Sequence, residues 1–279
     1  MIVPVRNGQA TLDACIDSLL ALDYPRERLE LIVVDNASTD DTPDILRRRD
    51  GAVRAVREPT RGAGAARNAG LRAAGGEVIA FTDADCVVDP GWLDHLVTAI
   101  GSREDLVAGG VVRAARPANA IELFGERVHD HRGSIELEWP PYVITMSLAA
   151  PAGLLHGCPF DEGFLRCEDV DLSYRLFASG AAFAFVPEAV VFHRNEHTLP
   201  GLFREGWQHG FHAVRARDKH RPMLRALGHP RTQWHHHAGL ARDLVASARG
   251  QGPPAPELAF RGGKSLGDLA GRMRRRRSC

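Results

Sequence analysis

Short apolar runs alternate with helically spaced segments along roughly the first 85 residues, and this rhythm constrains the fold more than any other feature of the chain. Ile2 to Val5 is a strand-like run, after which Leu12, Ile16, Leu19 and Leu20 recur at helical spacing until Pro25. The run Leu31-Ile32-Val33-Val34 reads as a strand buried on both faces, and Thr42 to Arg49, with Pro43 in its first turn, as a short helix. Val53 to Val56 predicts a third strand, Gly64 to Ala74 a helix, and Val78 to Phe81 a fourth strand. Such alternation implies a parallel sheet with helices on both faces, where ligands bind at the carboxyl ends of the strands. Asp35 and the pair Asp83 and Asp85 stand at such ends.

Further along, the pattern predicts a helix over about Pro90 to Ile100, a strand from Leu106 to Val112, and an irregular stretch from Arg113 to Phe164. A helix then begins at Glu168 and closes at Gly180, followed by a strand from Phe183 to Phe192 that Pro187 interrupts. Leu202 to Arg217 is helical by the spacing of Phe203, Trp207 and Phe211. Beyond Gly250, Pro and Gly with few apolar residues predict a linker and a basic, flexible tail over 251–279. No run approaches the roughly 18 uninterrupted apolar residues of a membrane span. The N-terminus has neither a basic region nor a long apolar one, so the cytoplasm is the expected location. The cysteines (Cys15, Cys86, Cys158, Cys167, Cys279) are odd in number, far apart and never in C-x-x-C, which argues against a disulfide framework and a thiolate zinc site.

A formal net charge of zero conceals two oppositely charged parts. Residues 1–200 carry 19 Lys and Arg against 30 Asp and Glu, whereas residues 201–279 carry 16 against 5. An acidic body is compatible with metal-dependent chemistry. A basic end closing on Arg272-Met273-Arg274-Arg275-Arg276-Arg277 suits peripheral contact with an anionic membrane on its inner face, with a merely solvated tail as the alternative. Nucleic acid ranks lower, because the tail lacks interleaved aromatics for base stacking.

Asp83-Ala84-Asp85 directly follows a predicted strand. Two carboxylates at i and i+2 can be held near one divalent cation that also takes phosphate oxygens, although such a pair alone reads first as two solvated turn aspartates. The surrounding segments supply context. Ile2-Val3-Pro4-Val5-Arg6-Asn7, Val33-Val34-Asp35-Asn36-Ala37-Ser38-Thr39-Asp40, Gly62-Ala63-Gly64-Ala65-Ala66-Arg67-Asn68-Ala69-Gly70, Ala80-Phe81-Thr82-Asp83-Ala84-Asp85 and Glu168-Asp169-Val170-Asp171-Leu172, with Arg175 and Gly180, occur in that order. In these five segments the sequence resembles the family 2 glycosyltransferases, enzymes of GT-A type that use nucleotide-sugar donors. The resemblance covers about residues 1–200.

It implies an α/β fold with a Rossmann-like, mostly parallel sheet flanked by helices. The GT-A domain would span 1–200, with a nucleotide-binding half over about 1–112 and an acceptor-binding half over about 113–200. A helical extension at 201–250 and the tail would follow. The resemblance places Pro4, Arg6 and Asp35 around the nucleobase, Asp35 bonding its imide N–H, and brings Arg67 towards the nucleotide. It gives Asp83 the ribose, Asp85 the Mn2+ or Mg2+ on the diphosphate, Asp169 the role of general base and Glu168 that of its partner in acceptor binding. His193, at the end of a predicted strand, completes the metal site in some proteins that resemble this pattern. The implied reaction is inverting transfer of a sugar to a hydroxyl of a glycan, a lipid-linked acceptor or a small molecule. The donor is favoured as a UDP-sugar, with GDP- or TDP-sugars as alternatives.

Other readings remain beside it. Glu168 and Asp169 also suit a helix N-terminus simply as carboxylates complementing the dipole. His193-Arg194-Asn195-Glu196-His197 satisfies H-x-x-E-H, a zinc-peptidase pattern, but it follows a strand-like run and Pro200 leaves little room for the required helix. Gly62 to Arg67 begins like a dinucleotide fingerprint whose sixth position is arginine. His235-His236-His237 reads as a solvated or packed cluster, because consecutive side chains diverge. Q-x-x-R-W is absent after the second carboxylate motif, which points to a non-processive transfer, and Met146 to Ala150 lacks the family's acceptor-loop signature. That last departure keeps open a catalytically inactive GT-A domain that binds a nucleotide-sugar or a protein. The chain also begins almost inside its first strand, so the reading allows for residues upstream of Met1.

Overall fold

A computed structural model describes residues 1–228 and 251–276, together with residues 240, 242, 243, 246, 247 and 249. The expected cluster His235-His236-His237 and the last arginine, Arg277, lie outside the described residues. The chain divides into two compact units, one formed by Met1–Ala115 and His129–Arg194, the other by Arg116–Val128 and Asn195–Cys279.

The first unit is built on a sheet of β1 (Ile2–Val5), β2 (Ile32–Asp35), β3 (Arg54–Arg57), β4 (Val78–Phe81), β5 (Cys86–Val88), β6 (Leu106–Ala114), β7 (Leu148–Pro151) and β8 (Ala182–His193), in the spatial order β3-β2-β1-β4-β7-β6-β8-β5. Pairs β1–β2, β2–β3, β1–β4 and β6–β8 are parallel, whereas β7 and β5 run antiparallel to their neighbours. Alternate residues explain the two covered faces. Val3, Val33, Ala80 and Ala108 point into one core with α1 (Leu12–Leu20), α2 (Thr42–Arg48) and α4 (Trp92–Ile100). Ile2, Ile32, Val34, Phe81 and Val107 point into the other with α3 (Ala63–Ala73) and α8 (Glu168–Ala178). Both sets are almost wholly buried, which is why these strands read as continuous apolar runs.

Small residues on α3 are a packing requirement. A Cβ at Gly70 would collide with Ile2 of β1, so the helix lies against the strand at a distance only glycine allows. The expected interruption at Pro187 is a bulge: Gly110 pairs with Val186 and Val111 with Val190, leaving 187–189 looped out of β8. The stretch 113–164, irregular by its pattern, contains α5 (Ala120–Val128), α6 (His131–Glu136), β7 and α7 (Ala152–Gly157). His131 is buried there. It accepts the Ile144 N–H at Nε2 (2.8 Å) and, with its proton on Nδ1, donates to the Gly110 carbonyl (2.8 Å); burial lowers its pKa to about 4.

The second unit corrects two expectations from sequence. It takes residues 116–128 out of the expected acceptor half and resumes at Asn195, ahead of the expected boundary at 200. The expected flexible tail is instead the long helix α11 (Ala255–Arg276), which follows α9 (Leu199–Lys219) and the short α10 (Arg221–Ala226). Its glycines are not breakers. Gly263, Gly267 and Gly271 lie one turn apart and face the backbone of Phe203, Trp207 and Phe211, while Gly206 and Gly210 of α9 face Phe260 and Lys264. A Cβ at most of these positions would strike a carbonyl oxygen, so the two helices, running in the same direction, approach through bare backbone. Phe124 of α5 packs beside Phe260 at 6.2 Å, and Asn195 donates to the Glu122 carbonyl. Among the described residues no helix is long and apolar enough to cross a membrane.

Candidate active site

Strand ends collect the candidate residues. Val5 pairs with Asp35, and the loops beyond β1 and β2 are tied together by Asn7 N–H to Ser38 Oγ (3.0 Å) and Thr39 N–H to Asn7 Oδ1 (2.9 Å). Asp35 is buried at this rim and its Oδ1 accepts the Ser38 N–H (3.0 Å). Pro4 is half-buried in β1 and Arg6 is exposed just past its end. Asn36 binds the Glu58 and Thr60 carbonyls and the Gly62 N–H, so it shapes the loop that enters α3.

Past β4 the chain turns back into β5, with Ala84 buried between Asp83 and Asp85. That buried methyl anchors the turn and leaves a carboxylate on each side of it. Cys86 is paired with His193 across β5 and β8, so register places Asp85 beside the end of β8. His193 Nε2 lies 3.4 Å from Asp85 Oδ2, and Arg194 N–H reaches the Asp85 carbonyl at 3.2 Å.

On the other side of the turn, Arg67 of α3 is only 3% exposed and joins two distant segments. Nη2 donates to Asp83 Oδ1 (2.7 Å) and Nη1 to Glu168 Oε1 (2.6 Å), while the guanidinium lies 5.6 Å from the Phe160 ring centroid. Its Nε is buried without a protein partner, as is Thr82 Oγ1. Neighbouring Asn68 exchanges hydrogen bonds with the Phe160 backbone and also donates to Glu162 Oε1. The loop that leads into α8 is thereby fixed to α3, and Glu168 and Asp169 are presented at the first turn of α8.

Electrostatics differentiate the carboxyls. Burial raises the Asp83 pKa, the Arg67 charge opposes that rise and the Asp85 charge adds to it. Desolvation also acts on Asp85, but the hydrogen bond and charge of His193 outweigh it and hold this carboxyl below its ordinary range. Asp169 is raised to about 7 by desolvation first and the Glu168 charge second, with Arg67 opposing. A carboxyl poised there can take a proton near neutral pH.

Sequence reasoning missed two neighbours of these carboxyls and one packing contact of α8. His129 is buried with its ring edge-on to His193 at 5.0 Å, and its charge contributes to lowering the Asp85 pKa. The Tyr142 hydroxyl is held above its ordinary pKa by burial and by Glu138 and Asp169. Trp139 packs edge-on to Phe177 of α8 at 4.8 Å. All three lie in the segment that lacked periodicity, where only the His-Asp-His run at 129–131 offered a signal. The H-x-x-E-H alternative fails on local geometry: His193 ends a strand and Glu196 and His197 are in a non-helical connection.

Asp85, 47% exposed, offers the carboxylate oxygens that Mn2+ and Mg2+ prefer, and His193 beside it adds an imidazole that suits a transition metal better than Mg2+, so the residues present fit a divalent cation. Among the described residues no group of three or more His, Cys, Asp and Glu forms a metal cage.

The sequence profile of glycosyl transferase family 2 matches residues 1–150, more than half of the chain. The chain belongs to glycosyl transferase family 2. Among its family 2 relatives, glycosyltransferase AglE of Haloferax volcanii is 34% identical over 116 residues, 40% of this chain and 38% of that protein. The pre-mycofactocin glycosyltransferase of Mycobacterium tuberculosis is 28% identical over 243 residues, 80% of this chain and 49% of that one. The chain thus spans less than half the length of these two relatives. The fold is that of the GT-A glycosyltransferases. The mannosyltransferase PcManGT from Pyrobaculum calidifontis, solved with GDP-Man and Mn2+, superposes with a TM-score of 0.65 at 21% identity, covering 98% of this chain and 85% of that one. Glucosyl-3-phosphoglycerate synthase from M. tuberculosis, solved with Mn2+, UDP and phosphoglyceric acid, gives 0.54 at 25% identity, covering 83% and 78%.

Proposed function

We propose that this family 2 chain transfers a sugar from a nucleoside-diphosphate donor to a hydroxyl acceptor, inverting the anomeric centre and releasing the product after one transfer. The observation that carries the reading is the Arg67 bridge, which holds Asp83 and Glu168 on one guanidinium and so brings a proton acceptor, Asp169, to the donor carboxylates. Asp35, with one oxygen committed to Ser38, offers the other to a nucleobase N–H, and Pro4 and Arg6 border that end. Asp83 faces the ribose. Glu168 orients the acceptor while Asp169 withdraws its hydroxyl proton and the oxygen attacks the anomeric carbon opposite the leaving diphosphate, a role worth about 10²- to 10⁴-fold in general-base catalysis. Asp85 and His193 would hold a Mn2+ or Mg2+ ion, which would supply charge neutralisation for that leaving group.

The two structural neighbours were solved with GDP-Man and with UDP, so both nucleotides belong in the first screen. The test is a thermal-shift comparison of UDP, GDP, TDP and CDP with and without Mn2+, followed by donor turnover with Asp85→Ala and Asp169→Asn. A metal-dependent shift with one nucleotide and loss of turnover in both variants is expected. Turnover close to that of the unaltered protein in both would refute these roles, and nucleotide binding with no turnover at all would mark a binding domain.

A further inference from the structure

Helix α11 turns a row of glycines inward and leaves three large apolar side chains outward. Gly263, Gly267 and Gly271 face α9, whereas Leu266, Leu269 and Met273 follow one another at i, i+3 and i+7 and are 53%, 37% and 60% exposed. Those positions form one stripe on a helix, roughly a third of the way round from the glycine row. A helix that only had to pack would carry these side chains on its buried face. Phe203 of α9, also exposed, lies over Gly262 and extends the apolar surface towards the first turns of α11.

Charge at the end of the stripe identifies the occupant. Because α9 and α11 run in the same direction, their C-terminal ends meet, and Arg217 of one and Arg272 of the other share Asp268. Arg215, Lys219, Arg221 and Arg274 are exposed around that end, and Arg275, Arg276 and Arg277 continue it in the sequence. Met273 stands between two of these arginines. We propose that the α9–α11 pair docks on an anionic phospholipid surface, with Leu266, Leu269 and Met273 entering the headgroup boundary and the basic end engaging lipid phosphates. Apolar insertion combined with cationic flanks is what holds an interfacial helix in place, whereas charge alone gives contact that salt disperses. The inference is independent of the catalytic reading, since its readout is lipid binding.

The test is co-sedimentation of the full chain with phosphatidylglycerol–phosphatidylcholine vesicles and with pure phosphatidylcholine vesicles, at low and high salt. Binding to the anionic vesicles only is expected, with a loss of about tenfold or more in the Leu266→Gln, Met273→Gln double variant, which keeps the helix and its charge cluster. A Met273→Trp variant gives a second reading: its fluorescence should be quenched by bromolipids in anionic vesicles. Wild-type protein that ignores anionic vesicles, or a double variant that binds like wild type, overturns the proposal. So does concentration-dependent dimerisation in sedimentation velocity that the double variant abolishes, because the stripe is then a contact between two copies.

Discussion

Arg67 and Glu168 stand 101 residues apart in sequence and are joined by a 2.6 Å hydrogen bond in the buried centre of the first unit. The same guanidinium holds Asp83, so one side chain determines the spacing between the carboxylates after β4 and those at the start of α8. Removing it leaves two carboxylates without their counter-ion in a desolvated place. Arg67→Met should therefore cost about 3–5 kcal/mol of stability, read by urea denaturation. Arg67→Lys should recover only part of it, since a single ammonium cannot present two forked donors. A loss below about 1 kcal/mol would show that the bridge is solvated, as exposed ion pairs are.

Asp169 makes opposite predictions for rate and stability. If it is the base, transfer should increase with pH on a limb centred near 7, where its carboxyl ionises, and Asp169→Asn should abolish that limb. Stability runs the other way. The folded pKa of about 7 lies above the ordinary value of about 3.9, so the native state binds the proton more tightly and the contribution of Asp169 to stability declines as pH rises from about 4 to 7. Asp169→Asn should accordingly melt above the parent at pH 8 and close to it at pH 4. Equal melting at both values would place the Asp169 pKa near the ordinary carboxylate range.

The contrast between what could and could not be read from sequence has a physical basis. Strands buried on both faces must be apolar throughout, so Ile2, Ile32 and Val78 announced β1, β2 and β4, and the aspartates just past such runs could be found. Arg67 was legible as a candidate but its partner was not, because nothing local links α3 to α8. His129 had no period around it, for α5 and α6 are short and their segments belong to different units. Helix α11 departs furthest from its sequence pattern. Glycine lowers intrinsic helix propensity by about 1 kcal/mol per residue, which makes a glycine-rich segment look like a linker. Where glycines recur every fourth residue against a second helix, close backbone packing outweighs that penalty.

His193 should control metal dependence without being needed for the fold. It lies at the end of β8 with its imidazole at Asp85 and edge-on to His129, so His193→Ala removes a donor and one ring contact at the strand end. The expected result is a nucleotide-free protein that still unfolds cooperatively at a modestly lower melting temperature, and a Mn2+-dependent stabilisation with nucleotide weakened by about tenfold or more in Mn2+ affinity. An unaltered Mn2+ titration would remove His193 from the site and leave Asp85 as the protein's contribution.

Two glycines of α11, five residues apart, should respond to the same substitution with opposite sign. A Cβ at Gly262 meets only the Phe203 ring, at 3.7 Å, an ordinary contact, so Gly262→Ala should gain about 0.5–1 kcal/mol from helix propensity and reduced unfolded-state freedom. A Cβ at Gly267 strikes the Trp207 carbonyl, which is helix backbone and cannot rotate aside. Gly267→Ala must push α9 and α11 apart along their whole contact, and overpacking of this kind costs about 1–3 kcal/mol, more than the propensity gain returns. Denaturation curves of the two variants beside the parent decide it. If both alanines stabilise, the helices are not in backbone contact and the packing argument for α11 is wrong.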